Sequence, residues 1–589
     1  MKYKIFSLLL SLILLSFTAC DTWDDDINID KNRPVFDENM TPQLFVTSCL
    51  AGIYGLGATG PWETSWNVLM PTTLYNAKSK SLSQPCRHRA WHDLDGNVWP
   101  KCYQNLKNIK LLRQAAIGAG DGRYEAVADI WETYIMYIMT LLYGDLPYFG
   151  AIGEELIYQV EYDKQSEIIP EMLNKLKRVN ELIKDTDNPI DAETDWIYAG
   201  DIQKWRKFAN VLRFKLAMYY HNAKPAEAES IMKEIINNPT QYPVFSSVDD
   251  NCNFNYDGVN RISPFFAETI SSEQNLLMSN VFIERLLSLY DPRIYQFAKP
   301  VQKVNSDPNL YVLPGNKGTD KYIGHLFGIT TSDGDASIWN GGVEYSSRQA
   351  TDWFRPVDAN FNPTEAAKKV PLLLSHYPEF LFCKAEAALK GWISGDAKSF
   401  YEQGIRASFD MFSATFTDAR YAKAYGPDAL SGVEAYLSQP QVSWNGGRNQ
   451  QVLVAEQKWI ASYQMLFEPF FDHRRTMLPG LVASDQAAKY ESTGSGTRFP
   501  ARADYPSSET EKNYDAVMLA NATAFDIPVT GETDRTEARM WILNNTSSPS
   551  LQMPIFNEPL KASNQYPGQT NFKAWYDANW NSMFYWLKE

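Results

Sequence analysis

Apolar side chains recur along several stretches of this chain at the spacing of an α-helix. Residues 124–143 contain no Gly or Pro, are apolar over a broad face, and are followed by Gly144 and Pro147. This pattern predicts a helix and its end. Between residues 204 and 220, apolar positions three or four residues apart share one helical face: Trp205, Phe208, Leu212, Leu216 and Tyr219.

Further helices are predicted in the second half of the chain, over 379–392, 397–412 and 454–471. The first two are joined by a short turn at Gly395-Asp396, and such helix pairs are the unit of helical-repeat proteins. No clean repeat of about 34 residues is visible. The stretches between the helices are rich in Gly, Asn, Asp, Ser, Pro and Trp, which predicts long loops with short strands: 59–103, 245–270, 300–365 and 476–570.

The N-terminus has the features of an export signal. Residues 1–19 carry two lysines followed by an apolar core over 6–17 that is too short to span a membrane comfortably. The sequence over 17–20, FTAC, resembles a bacterial lipobox. It predicts cleavage before Cys20 and attachment of a diacylglycerol and an N-acyl chain such as palmitate. The alternative is an ordinary secretory signal that is cut near Ala19.

Residues 20–40 are predicted to be an acidic tether, because four aspartates follow the anchor closely: Asp21, Asp24, Asp25 and Asp26. The run is either a solvated spacer or a signal for display at the cell surface. No other apolar run is long enough to cross a bilayer, so attachment through the lipid alone is expected. Residues 41–589 then form one binding domain, without a Pro/Ser-rich linker that would divide it.

Composition narrows the possible partners. The chain carries 55 Lys and Arg against 70 Asp and Glu, a net charge of −15, which disfavours binding to the phosphates of nucleic acids. The 17 Trp, 33 Tyr and 30 Phe supply flat rings suited to cores, interfaces and sugar stacking. Beyond Cys20, five cysteines remain, so at least one is unpaired within the chain and no disulfide framework is expected.

Short motifs follow one another over about residues 100–515 in an order that is similar to the SusD/RagB family of outer-membrane lipoproteins. They are Gly144-Asp145-Leu146-Pro147-Tyr148, Tyr198-Ala199-Gly200-Asp201, Asp291-Pro292-Arg293, Lys384-Ala385-Glu386-Ala387 with Gly391-Trp392, Gln457-Lys458-Trp459, Arg474-Arg475-Thr476, and Tyr505-Pro506 with Glu509 and Asn513. Two features depart from the family pattern: Pro378 precedes a helix, and Phe470-Phe471-Asp472 replaces an expected Trp.

The resemblance implies an all-α fold of tetratricopeptide-like helix pairs with long irregular loop insertions. It implies a non-catalytic glycan-binding protein on the outer face of the outer membrane, without a cofactor beyond the lipid. It also implies a partner, a SusC-type TonB-dependent β-barrel transporter. A peptide-binding role of the RagB type and a surface glycoside hydrolase remain alternatives. We expect the motif residues to be structural, with Trp205, Phe208 and Leu212 in the core and Arg474 and Arg475 paired to buried oxygens.

Glycan binding needs exposed aromatic rings beside side chains that hydrogen-bond hydroxyl groups. Two predicted loop regions meet this requirement, and a weaker third surrounds Trp444. The candidate ligand-binding residues are Trp66, Trp91, Asp93 and Trp99 in the first region, and Trp339, Asn340, Trp353 and Arg355 in the second. The alternative for any one of these tryptophans is that it fills a gap between helices.

No metal site is predicted. His88 and His92 are spaced to share one face of a helix, but Arg87 and Arg89 beside them would repel a cation. Asp333-Gly334-Asp335 could ligate calcium, yet the same residues are common in turns.

Overall fold

The structure is a computed structural model of the chain. It describes residues 40–54, 64–78, 98–153, 160–267, 276–304, 313–325, 343–349, 353–354, 356–358, 362–481, 483–484, 499–513, 540–543 and 555–556.

The described part of the chain is mainly helical. The longer helices are α1 (Gln43–Tyr54), α2 (Trp99–Ala119), α3 (Gly122–Tyr143), α4 (Gln165–Ile183), α5 (Ile202–Tyr220), α6 (Pro225–Asn237), α7 (Asn280–Ser288), α8 (Tyr377–Leu389), α9 (Ala397–Met411), α10 (Ala419–Tyr425), α11 (Val433–Ser438), α12 (Gln450–Ala461), α13 (Glu468–Thr476) and α14 (Ser507–Lys512). Shorter helical turns lie at Met70–Thr72, Phe149–Ile152, Pro264–Ala267 and Ile294–Phe297.

Short strands form small two-stranded sheets between the helices. The strands are β1 (Asn76–Lys78), β2 (Cys252–Phe254), β3 (Leu276–Met278), β4 (Leu372–Ser375), β5 (Ala483–Ser484) and β6 (Ile555–Phe556). β1 pairs antiparallel with β3, β2 pairs antiparallel with β4, and β5 pairs parallel with β6. The prediction of a helical scaffold with a few short strands is confirmed.

Consecutive helices from α1 to α6 pack against each other in sequence order, as expected for helical-repeat pairs. α3 lies at the centre of this array, and its apolar residues are buried on every side. A helix that is apolar all round is typical of such an interior position. Asp121 caps its first turn by accepting a hydrogen bond from the backbone N–H of Arg123, and the helix ends at Gly144, whose φ is 94°.

The core consists of two apolar clusters, one built mainly on α1–α6 and one mainly on α7–α12. α8 lies between them, because Phe380 and Cys383 pack in the first cluster while Phe382 and Ala385 pack in the second. α8 also contains Pro378 within its first turn. A proline is tolerated there, since the N–H it lacks would have no partner within the helix.

Four of the five predicted helices are confirmed with small changes in their ends, as α3, α5, α8 and α9. The prediction of one helix over 454–471 is wrong, because α12 ends at Ala461 and α13 begins at Glu468. Between them, Gln464 and Leu466 adopt φ values of 68° and 41°. Residues other than glycine are uncommon in this left-handed region. The turn is formed without the Gly or Pro that would have indicated a break in the sequence.

Four cysteines in the described ranges are free and buried: Cys49, Cys102, Cys252 and Cys383. Within those ranges, no helix combines the length and the apolar character needed to cross a bilayer.

Candidate ligand-binding site

Two of the candidate tryptophans are buried in the described structure, which corrects the expectation that they stand exposed on loops. Trp66 is 7% exposed and packs on Phe265 with ring centroids 5.0 Å apart. Trp99, 6% exposed, begins α2 and packs against Tyr103 at 4.9 Å and Tyr143 at 5.0 Å. Their rings are surrounded by other core aromatics, so the alternative of gap filling describes both side chains.

Trp353 differs from these two, because part of its ring remains accessible. It packs edge-on against Phe354 at 4.6 Å and against Phe412 at 5.5 Å. These buried neighbours pack against the ring and leave the residue partly exposed. The structure thus places one predicted platform at the surface of the second core cluster.

The two predicted regions meet at the aromatic junction, which we define as Trp66, Phe265, Trp353 and Phe354. Phe265 packs on Trp66 of the first region at 5.0 Å and lies 6.5 Å from Phe354, the neighbour of Trp353. Residues almost 300 positions apart in the sequence therefore belong to one continuous aromatic layer. Sequence reasoning did not identify Phe265 as the residue that links them.

Two segments that carry four of the remaining candidates, Trp91, Asp93, Trp339 and Asn340, also leave from one small sheet. The chain enters residues 79–97 directly from β1, which pairs with β3. It enters residues 326–342 directly after His325, which forms a bridge with Ser279 at the end of β3, and it returns through Arg348, which forms a bridge with Leu277. Both predicted loops are therefore anchored to the same framework.

A side-chain hydrogen bond reinforces this framework, because Asn76 Nδ2 donates to Gln349 Oε1 at 3.3 Å. The other candidates lie outside the described residues: Cys20, Trp91, Asp93, Trp339, Asn340 and Arg355.

The sequence reasoning missed one partly exposed tryptophan, Trp196. Trp196 is half-buried against Phe254, and the guanidinium of Arg261 lies 4.3 Å from its ring centroid. Asp257 holds the turn that carries Arg261 by accepting backbone hydrogen bonds from Val259, Asn260 and Arg261 at 2.8–2.9 Å. These hydrogen bonds, that from Arg261 first, lower the pKa of Asp257. The sequence offered one signal, a tryptophan two residues before Tyr198-Ala199-Gly200-Asp201.

The weaker third region has a structural role where it is described. Trp444 packs on Tyr401 at 5.4 Å, and Arg448 donates to Glu456 Oε2 at 2.8 Å. Glu456 is buried and also accepts two hydrogen bonds from Arg285 at 2.6 and 2.8 Å. Although burial acts to raise the pKa of Glu456, the two arginines lower it to about 2.

The motif residues join helices through buried polar contacts, as expected. Arg293 donates to Asp291 Oδ2 at 2.6 Å and to Gln457 Oε1 at 2.9 Å, which ties two motifs together. Arg474 donates to the backbone oxygen of Ala501 at 2.7 Å. Arg475 pairs with Glu386 at 2.6 Å. The prediction that both arginines bind buried oxygens is confirmed.

Two buried carboxylates share one cation in the centre of the molecule. Lys215 Nζ lies 2.8 Å from Glu379 Oε1 and 2.9 Å from Glu468 Oε1. The cavity beside them has a volume of about 10 Å³, which is the space of one water molecule. A buried pair of carboxylates cannot reach a glycosidic bond. It therefore differs from the two carboxylates of a glycosidase, which lie in an open cleft.

No group of three or more His, Cys, Asp or Glu side chains in the described ranges is arranged to hold a metal ion. The candidates His88, His92, Asp333 and Asp335 lie outside those ranges.

Helix pairs that carry aromatic loops on one framework define a helical-repeat binding protein. A SusD-like family model, described as "Starch-binding associating with outer membrane", matches residues 37–506. The chain therefore belongs to the SusD-like family of nutrient-binding proteins that associate with the outer membrane. A comparison with curated proteins gave no match.

Solved structures share the fold. A SusD homologue from Bacteroides fragilis is 23% identical with a TM-score of 0.68, and the match covers 86% of this chain and 100% of that one. A second B. fragilis SusD homologue is 25% identical with a TM-score of 0.64, covering 85% and 99%. A chitin-binding protein is 24% identical with a TM-score of 0.66, covering 86% and 100%.

Proposed function

We propose that this protein is a cell-surface lipoprotein that captures oligosaccharides or polysaccharides and passes them to a SusC-type TonB-dependent transporter in the outer membrane. One observation carries the glycan-binding part. In a chain of the SusD-like family, two segments that each contain Trp, Asp and Asn leave from one small sheet. Their shared origin lets both segments act on one ligand.

The proposed site combines rings and polar side chains in the way that sugars require. A sugar ring stacked on an indole removes apolar area of both partners from water, and neighbouring amides, carboxylates or guanidinium groups replace the water on its hydroxyls. Trp91, Trp339 and Trp353 are the proposed platforms, and the proposed hydrogen-bonding residues are Asp93, Asn340 and Arg355.

Trp66 and Trp99 are proposed to support this site as core residues and not to contact the ligand. Trp66 packs on Phe265 within the aromatic junction, and Trp99 begins α2 directly after residues 79–97. Rings packed at the base of a segment restrict where its ends lie, which lowers the entropy lost when a ligand binds.

Attachment to the membrane is proposed to occur through the lipid on Cys20, with the acidic residues 20–40 as a spacer to the binding domain. A tethered domain stays close to a transporter in the same membrane, which raises the effective concentration of each for the other. No catalytic step is proposed, because capture and transfer need binding alone.

The test is calorimetric titration of the lipid-free chain, residues 21–589, with starch, chitin, other plant and fungal polysaccharides, host glycans and a peptide mixture. Saturable heat with a glycan supports the proposal. Saturable heat with peptides and with no glycan would instead support the peptide-binding alternative. Release of new reducing ends from a bound glycan would establish the glycoside hydrolase alternative. Co-purification of the lipidated protein with a β-barrel transporter from native membranes tests the partner.

A further inference from the structure

A polar cleft lies between the exposed sides of α4, α5 and α6, on a part of the scaffold that contributes nothing to the aromatic junction. Its volume is about 520 Å³, within the range of about 300–1,000 Å³ that is usual for small-molecule sites. The residues that line it are Asn174, Lys177, Arg213, Ser230, Ile231, Lys233, Glu234, Asn237 and Asn238. With one exception they are polar, so the cleft suits a ligand that forms many hydrogen bonds.

Glu234 is fixed as an acceptor on the wall of this cleft. Lys177 Nζ lies 2.6 Å from its Oε1, Arg213 Nη2 lies 2.6 Å from its Oε2, and the hydroxyl of Tyr242 donates to Oε1 at 3.3 Å. Although burial acts to raise the pKa of Glu234, hydrogen bonds from Lys177 and Arg213 lower it. The carboxylate is therefore ionised at neutral pH and retains lone pairs for a ligand hydroxyl.

Positive charge nevertheless exceeds negative charge at the cleft, because Lys177, Arg213 and Lys233 have two carboxylate partners between them, Glu234 and Glu229. Lys233 has a partner outside the cleft, Glu229, at 3.0 Å. Arg213 is held in place because it is 3% exposed and its guanidinium lies 5.4 Å from the ring centroid of Tyr242. A local excess of cations is notable in a chain with a net charge of −15.

We propose that the cleft binds a sugar acid, meaning a carbohydrate unit that carries a carboxylate, as a second site separate from the aromatic loops. The lysines would pair with the ligand carboxylate, because a charge-assisted hydrogen bond is stronger than a neutral one. Glu234 and the asparagine side chains would accept hydrogen bonds from ligand hydroxyls.

This combination discriminates between ligand classes. Inorganic phosphate carries fewer hydroxyl groups than a sugar acid and a greater negative charge at neutral pH, so Glu234 would repel it more strongly. A neutral sugar would leave the excess positive charge of the cleft without a further anion, and the lining offers no aromatic ring for stacking. A sugar acid satisfies both kinds of group.

The test is isothermal titration of the full chain in detergent with glucuronate and galacturonate, at low and at high salt. We expect saturable binding that weakens as salt rises, because the lysines are exposed to screening ions. Lys177→Gln and Lys233→Gln should each weaken binding about tenfold, the equivalent of about 1.4 kcal/mol for one charged hydrogen bond. Lys177→Arg, which keeps the charge, should restore most of the affinity.

Lys184→Gln is the matched control. Lys184 follows α4, is 41% exposed compared with 47% for Lys177, pairs with Glu181, and lies outside the cleft. Its removal changes the net charge of the chain equally but should leave uronate binding unchanged. Equal weakening by Lys184→Gln would show a general charge effect and overturn the site.

Three other results would overturn the proposal: no saturable binding of either uronate, equal affinity for glucose, or equal affinity for inorganic phosphate. Trp339→Ala separates this site from the proposed function. Uronate binding should survive that substitution even if no polysaccharide binds to the aromatic loops, and loss of uronate binding in Trp339→Ala would place the ligand at the loops and not in the cleft.

Discussion

Arg475 places both terminal nitrogens of its guanidinium group on the carboxylate of Glu386, with Nη1 2.7 Å from Oε1 and Nη2 2.6 Å from Oε2. The pair joins α13 to α8, the helix that lies between the two core clusters. Nη2 also donates to Asp472 Oδ1 at 2.7 Å, and Asp472 accepts from Lys458 at 2.8 Å. Three of the family motifs, those that contain Glu386, Lys458 and Arg475, thus share one buried network.

Arg475→Met should destabilise the protein by about 3–5 kcal/mol, because it leaves the buried Glu386 without its main partner. Urea unfolding at neutral pH, followed by far-ultraviolet circular dichroism, measures this loss. The control is Arg406→Met, whose guanidinium pairs with Glu434 at 2.9 Å but is 38% exposed, opposite a carboxylate that is 76% exposed. Loss of that pair should cost less than about 1 kcal/mol. Equal losses in the two variants would contradict a structural role for the Arg475 network.

Trp205→Ala should destabilise the protein by about 3–5 kcal/mol, since it removes a fully buried indole. The indole Nε1 also donates to the buried Asp195 Oδ2 at 2.9 Å, so the variant leaves an acceptor without its donor. Thermal and urea unfolding measure the change. Trp196→Ala, at a half-buried tryptophan, serves as control and should cost clearly less. A negligible effect of Trp205→Ala would show that this face of α5 does not pack in the core.

The pH dependence of stability should contain a contribution from Glu468. Burial raises its pKa to about 7, and Glu379 on the same lysine acts in the same direction. A carboxyl with a raised pKa in the folded state favours folding fully below its ordinary pKa, near 4.5, and this contribution is lost as the pH rises through about 7. Glu468→Gln should therefore flatten the decline in unfolding free energy between about pH 5 and 8.

Urea unfolding at several pH values tests this expectation, with Glu365→Gln as the control because that carboxylate is 85% exposed. The expected difference in slope amounts to on the order of 2–3 kcal/mol across the window. If the unfolding free energy of Glu468→Gln declines with pH as steeply as that of the wild type, other titrating groups cause the decline.

Local periodicity was sufficient to predict much of the helical scaffold. α3 and α5 follow from apolar spacing and from the Gly and Pro signals at the end of α3. The polarity of a residue was a poorer guide to its burial. Asn210 and Arg213 are polar and do not belong to the predicted apolar face of α5, yet both are buried. Asn210 and Asn180 exchange hydrogen bonds at 2.9 and 3.0 Å, a pairing between helices that no single-helix pattern contains.

The candidate site depended on long-range packing that the sequence does not show. Composition placed Trp66, Trp99 and Trp353 in the same class, because all three lie in loop-like stretches beside polar residues. Their difference in exposure arises from neighbours far away in the chain: Phe265 covers Trp66, and Tyr143 and Tyr505 surround Trp99. The strand pairing that brings residues 79–97 and 326–342 to one sheet is equally non-local.

Cys20→Ala should release the protein from membranes or leave it uncleaved, because the thiol that would carry the lipid is absent. Fractionation of cells followed by immunoblotting, with metabolic labelling by palmitate, measures both effects. Thr22→Ala, two residues beyond the cysteine, should remain labelled and membrane-bound. Palmitate labelling of Cys20→Ala equal to that of the parent would contradict the anchor. Membrane retention without labelling would instead indicate that a membrane partner holds the protein.

Trp339→Ala and Trp91→Ala should lower glycan affinity while helicity and melting temperature stay close to those of the parent. Removing a stacking platform costs about 1–3 kcal/mol, which weakens binding by roughly five- to over a hundredfold. Trp353→Ala should also lower affinity, with some loss of stability, since its ring packs on Phe354 and Phe412. Calorimetric titration and thermal unfolding of the same samples separate the two effects.

Trp205→Ala completes the comparison, because its ring is fully buried on α5 within the first core cluster. It should lower the melting temperature strongly, while the fraction that remains folded binds glycan with the affinity of the parent. If a glycan binds and neither Trp339 nor Trp91 affects its affinity, both predicted loops are the wrong place. The accessible ring of Trp196, with Arg261 against one face, would then be the next surface to test, by Trp196→Ala in the same titration.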